Sequence, residues 1–106
     1  MIVVDIITNG DGMIVGFEVA GHSGTAKHGK DIVCAGVSAL TQSALFGIME
    51  HLHRAVNYDI ASGNLKMRLL EPPNDCTEAI LRTMYMGLAE IEKISPKGIR
   101  IQEVKG

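Results

Sequence analysis

The chain has 106 residues, of which 46% are hydrophobic and 21% charged, and its formal net charge is −2. That length fits one domain around one core and argues against a two-domain enzyme with its cleft at a domain boundary. A slightly acidic balance and only four aromatics, Phe17, Phe46, Tyr58 and Tyr85, argue against direct nucleic-acid binding, which needs a basic face or a stacking platform.

The first segment, Met1 to Ile7, is apolar but interrupted by Asp5 and has no basic run before it. It does not read as a signal peptide, so a cytoplasmic location is expected, and Cys34 and Cys76 are expected as thiols. Ile2 to Ile7 is rich in β-branched residues and predicts a strand. Asn9-Gly10-Asp11-Gly12 predicts a hairpin turn, and Met13 to Ala20 a return strand with Val15, Phe17 and Val19 on one face. Gly21 to Lys30 then contains three glycines, two histidines and two lysines, the composition of a mobile loop.

Asp31 is a suitable N-cap for a long helix running to about Val56. Its stretch Ile32 to Met49 carries no charge, but Ser38, Thr41, Gln42 and Ser43 and two glycines favour a buried helix over a membrane span. Tyr58 to Ala61, the turn Ser62-Gly63-Asn64 and Leu65 to Leu70 predict a second hairpin. Pro72-Pro73 ends it, and Asp75 with Glu78 has capping-box spacing for a second helix over about 76–94. Ile99 and Ile101 suggest a closing strand. The order β-β-α-β-β-α-β predicts an α+β two-layer sandwich: a largely antiparallel sheet with two helices on one face.

The chemistry concentrates in Gly21-His22-Ser23-Gly24-Thr25-Ala26-Lys27-His28-Gly29-Lys30-Asp31-Ile32-Val33-Cys34-Ala35-Gly36-Val37-Ser38. A cysteine in the first turn of a helix sits where unpaired N–H groups and the positive helix end stabilise a thiolate, the nucleophilic form. His22 could take the proton, the same N–H groups could hold an oxyanion, and Ser38, four residues after Cys34, shares its face. A buried structural cysteine, a surface histidine and a purely conformational glycine loop are the plain alternatives. Cys76 has Asp75 beside it, which opposes a thiolate, and reads as structural. His51 and His53, two apart on the predicted helix, point in different directions and read as solvent-facing.

Two other chemistries are weaker. Gly24 to Lys30 matches a phosphate-binding loop through its lysine, but Asp31 stands where Ser or Thr would hold magnesium. A zinc site from His22, His28, Cys34 and Cys76 has no familiar spacing. No cofactor or metal is expected.

The segment resembles the ribosomal-processing cysteine protease family, Prp. Gly21 and His22, a glycine-containing loop, then Gly29, Asp31, Ile32, Val33, Cys34, Ala35, Val37 and Ser38 carry the likeness. It extends to the opening hairpin, the strand near Leu65 and the final helix, with Ser23 as one departure where many relatives have Ala. The resemblance implies a cysteine endopeptidase with Cys34 as nucleophile and His22 as base. Gly21, Ser23, Gly29, Asp31 and Ser38 would be supporting or substrate-binding residues. It implies a substrate too: the N-terminal extension of bacterial large-subunit ribosomal protein twenty-seven, cut after a Phe-Phe pair. The alternative is a non-catalytic, ribosome-associated module that holds a peptide in the same groove. The resemblance implies a homodimer, expected to be two-fold symmetric with the first helix or the sheet edge at or near its interface; the small residues Gly36, Ala39, Ser43, Ala44 and Gly47 would let a partner approach that helix closely. No membrane partner is expected.

Overall fold

The computed structural model describes residues 1–21, 32–61 and 63–106. The expectations for His22, Ser23, Gly29, the cap at Asp31 and the loop between them lie outside the described residues.

Strands β1 (Ile2–Thr8) and β2 (Ile14–Ala20) form an antiparallel hairpin. Its turn is held by Asn9, whose Oδ1 accepts from the N–H groups of Asp11 and Met13 at 3.0 Å each. Gly12 takes a positive φ of 79°, which a side chain would disfavour. Val4 faces Val19 and Ile6 faces Phe17, and this is the side that meets the helices. The register then shifts, so that Thr8 faces Ile14. Val15 was expected in line with Phe17 and Val19. The bulge absorbs one residue and puts Ile14 in the core instead, with no exposed surface. Phe17 is equally buried; truncating such a ring to Ala costs about 3–5 kcal/mol, a large part of a typical domain's total stability.

Helix α1 (Ile32–Phe46) continues as one π-helical stretch, Gly47–His51. The sequence suggested a helix to about Val56. The chain leaves earlier because the wider turn brings Leu52 N–H to Gly47 O at 3.0 Å, and His53 then takes a left-handed φ of 54°. Arg54 clamps the exit by donating to Glu71 Oε1 at 2.9 Å and to Pro72 O. That bond, with a second from the Ala55 N–H, holds the Glu71 carboxyl below the usual carboxylate range. β3 (Val56–Ala61) and β4 (Asn64–Leu69) follow as the second hairpin.

Helix α2 (Asp75–Ile94) is capped one residue before the expected position. Asn74 is extended, at φ −139°, and its side chain accepts from Thr77 N–H at 2.9 Å. Thr77 Oγ1 accepts in return from Asn74 N–H at 2.9 Å. Asp75 and Glu78 have the same three-residue spacing, but Glu78 is drawn elsewhere. Its Oε1 accepts from Ile14 N–H at 2.8 Å, and its Oε2 from Arg82, which also donates to Gly12 O at 2.7 Å. One carboxylate thus ties α2 to the bulged end of the first hairpin.

β5 (Ile99–Lys105) lies parallel to β1, and the five strands run in the order β3-β4-β2-β1-β5. Tyr85 and Glu92 of α2 strap this strand down: Tyr85 donates to Glu103 at 2.9 Å, and Glu92 accepts from Ile101 N–H at 2.9 Å. The result is the expected α+β arrangement, one mostly antiparallel sheet with both helices on one face. By length and composition Ile32–His51 could cross a bilayer, yet here it packs on the sheet through Val33, Val37, Thr41, Ala44, Leu45 and Ile48.

Replacing Glu78 by Ala leaves the part-buried Ile14 N–H without its acceptor. We expect a loss of about 1–3 kcal/mol in denaturant unfolding. Asp75→Ala, which removes a first-turn carboxylate and no cap, should cost less than about 1 kcal/mol.

Candidate active site

Strand β2 is followed by Gly21, where the chain has a φ of 95° and the N–H donates to Gly63 O at 2.9 Å. A Cβ here would lie 2.5 Å from Met1 O, so only glycine fits between the start of β1 and the β3–β4 turn. The residue that precedes His22 is therefore constrained by backbone packing, whatever the loop after it does.

Cys34 is the third residue of α1 and is half-buried. The helix rests on the sheet through Val33, Val37, Thr41, Ala44 and Leu45. Thr41 is almost fully buried, and its hydroxyl is satisfied by donating to Val37 O at 2.8 Å. Cys34, Ser38 and Gln42 follow one another at four-residue spacing beside this row, and all three line a cleft of about 150 Å³. The opposite walls come from the helix-facing side of the sheet, Ile2, Val19 and Leu65, and from strand ends and a turn, Ile60, Ala61, Gly63 and Asn64.

Among the described residues, none that lines the cleft is charged. Its volume is that of a cavity that accepts a single benzene ring. Among the described residues, aliphatic walls from Ile2, Val19, Val37, Ile60 and Leu65 alternate with polar groups at Cys34, Ser38, Thr41, Gln42 and Asn64. Asn64 Oδ1 is buried and has no hydrogen-bond partner among the described residues, an acceptor beside the cleft.

The structure thus brings together three of the residues singled out in the sequence, Gly21, Cys34 and Ser38, in one cleft. It also adds residues that sequence reasoning missed. Thr41, Gln42, Ile60, Ala61 and Asn64 carry no motif; the Ser62-Gly63-Asn64 signal marked a turn but not what the turn would face. Cys76 lies apart, exposed in the first turn of α2, and neither cysteine is in a disulfide. His51 and His53 are exposed, as expected.

A second, apolar groove of about 380 Å³ runs between the helices, lined by Leu40, Ala44, Gly47, Ile80 and Met84 among others. Part of the small-residue argument for a partner is used up here. A Cβ on Gly36 would meet Ile91 Cδ1 at 3.0 Å and one on Gly47 would meet Ile80 Cδ1 at 3.4 Å, so these two glycines serve contact between α1 and α2. Ala44 is buried as well; Ala39 and Ser43 remain exposed.

Comparison with known proteins agrees with the geometry. The sequence model of the family described as Cysteine protease Prp matches residues 1–100. A ribosomal processing cysteine protease Prp from Staphylococcus aureus is 35% identical over 104 residues, covering 95% of this chain and 97% of the relative. The crystal structure of the S. aureus protease with a covalently linked product peptide superposes with a TM-score of 0.92 at 30% identity, covering 98% of this chain and 100% of that one. Its complex with a substrate peptide gives a TM-score of 0.87 at 29% identity, with the same coverage.

Exposure alone would make Cys76 the faster thiol to alkylate, since Cys34 is half-buried. An activated nucleophile reverses that order. With limiting iodoacetamide at neutral pH, peptide mapping should find Cys34 modified at least about tenfold faster than Cys76.

Proposed function

The chain belongs to the cysteine protease Prp family and is a cysteine protease; from that premise we propose that it removes the N-terminal extension of bacterial large-subunit ribosomal protein twenty-seven, cutting after a Phe-Phe pair, through Cys34 and His22. The observation that carries this reading is the position of Cys34, at the start of α1 and in the wall of a cleft sized for one aromatic ring, whose described lining residues carry no charge. A phenylalanine before the cut would seat its ring among Ile2, Val19, Ile60 and Leu65. Burying such a ring removes about 150–250 Å² from water, enough to set the register of an extended peptide.

In this mechanism His22 takes the proton from the Cys34 thiol, and the thiolate attacks the carbonyl carbon of the scissile bond. The negative oxygen that forms is stabilised by N–H groups in the first turn of α1. The C–N bond then breaks, and His22 returns the proton to the leaving amine, which departs as the new N-terminus of the ribosomal protein. Water, deprotonated by His22, hydrolyses the thioester and restores the thiol. Ser38, one turn after Cys34 on the same side, supports the thiolate or the substrate by a hydrogen bond. Gly21 shapes the chain before His22, and Ser23, Gly29 and Asp31 take supporting places by their match to the family motif. The reaction needs no metal or cofactor, and we place it in the cytoplasm, where thiols stay reduced.

We also infer a homodimer formed through the outer side of the helical layer. Ile32 is 82% exposed, Met86 68% and Phe46 43%, and all three lie on α1 or α2. Light scattering at micromolar concentration should give twice the mass of the chain, and Phe46→Glu should shift it toward monomer. A wild-type mass that stays monomeric overturns this assembly.

The reaction is tested with the purified ribosomal protein bearing its extension, read by mass spectrometry. Cys34→Ala should abolish cleavage while retaining peptide binding. His22→Ala should slow it by at least about 10²-fold, and Ser38→Ala by less. Persistent cleavage by Cys34→Ala, or loss of wild-type activity on adding a chelator, would refute the mechanism.

A further inference from the structure

The sheet has two edges, and they are built differently. β5 carries Arg100, Glu103 and Lys105 along its length, the kind of charge that discourages pairing with another chain. β3 carries one charged residue, Asp59, and no proline or lysine. Among the described residues β3 pairs only with β4.

The register shows which backbone groups of β3 are unused. Leu70 N–H donates to Ala55 O at 3.0 Å, while Val56 faces Leu69, Tyr58 faces Met67 and Ile60 faces Leu65. In an antiparallel pair, residues alternate between those bonded to the partner and those whose N–H and C=O point away from it. Since Ala55 is a bonded position, Val56, Tyr58 and Ile60 turn their N–H and C=O groups to the open edge. Their side chains lie on the helix-facing side, opposite the buried Met67 and Leu65. Yet Tyr58 is 49% exposed and Ile60 46%, because the helical layer stops short of this strand.

This edge runs into the cleft that holds Cys34: Ile60 and Ala61 belong to both. We propose that the substrate peptide adds to the sheet as a further strand along β3, its backbone paired with Val56, Tyr58 and Ile60, and so reaches the Cys34 cleft in register. The inference rests on the protease reading above and specifies how that site holds an extended chain. Backbone pairing supplies sequence-independent binding, and alternate side chains of the peptide fall over the apolar surface of Tyr58 and Ile60. Six residues at about 3.3 Å each give a track of roughly 20 Å, long enough to fix direction as well as position.

The test is an N-methyl scan of the substrate peptide, measured as binding to Cys34→Ala by fluorescence anisotropy. Strand addition predicts a period of two: methylation at every second residue lowers affinity by about 3–10-fold, and at the residues between has little effect. The variant Tyr58→Pro removes only an edge-facing N–H, so it should fold, as circular dichroism will show. It should raise KM more than it lowers kcat. Losses without alternation would overturn the proposal. So would a Tyr58→Pro variant that becomes monomeric with unaltered peptide affinity, for then the edge pairs with a second copy of the chain. If the unmodified peptide is not cleaved by the wild-type protein, the protease reading itself fails; if it is cleaved and the scan shows no alternation, only the strand addition fails.

Discussion

Everything in this molecule depends on how one nearly uncharged helix is seated on a sheet that can cover only one of its sides. α1 is apolar or small around most of its circumference, so polarity alone does not choose which side goes down. The choice is made by the row Val33, Val37, Thr41, Ala44, Leu45 and Ile48, which fills the space above Ile2, Val4, Ile6 and Phe17. Each residue of a helix is turned about 100° from the last. Once that row is packed, Cys34, Ser38 and Gln42 must come out beside it, at the margin of the sheet, where a cleft exists.

The margin is kept open by backbone geometry as much as by side chains. Gly21 crosses close to Met1, and its N–H is spent on Gly63 O, so the chain after β2 is tied to the start of β1 and to Gly63 at the rim of the cleft. The buried Thr41 hydroxyl is returned to its own helix and adds no unmet polarity to the floor. The described residues of the cleft carry no charge, so the electrostatics of a reacting thiolate rest on the helix end and on the proposed base His22.

The two helices themselves are drawn together by Gly36, Gly47 and Gly87, whose missing side chains leave room for Ile91, Ile80 and Leu40. Close approach makes the helical layer narrow. It covers the strands from β4 to β5 and leaves β3 with exposed apolar side chains and an unpaired edge. A tightly packed core and an open peptide track are therefore two consequences of the same small residues.

Much of this was legible in the amino-acid order because the signals were local. The β-branched run from Ile2 to Ile7, the Asn9–Gly12 turn and the break at Pro72-Pro73 each depend on neighbours a few residues away, and the order of elements followed from such signals. The Gly21-to-Ser38 motif likewise pointed to a thiol at a helix start. Tertiary partners decided the rest. Glu78 left the cap that its spacing allowed because Ile14 N–H and Arg82 were nearer to its needs. Ile14 rather than Val15 entered the core because the bulge is a property of two paired strands and not of one. Gly36 and Gly47 had two possible neighbours, a partner chain or α2, and composition does not distinguish them. The far wall of the cleft, Ile60, Ala61 and Asn64, meets Cys34 only after the sheet has formed, since residues remote in sequence become neighbours through packing alone.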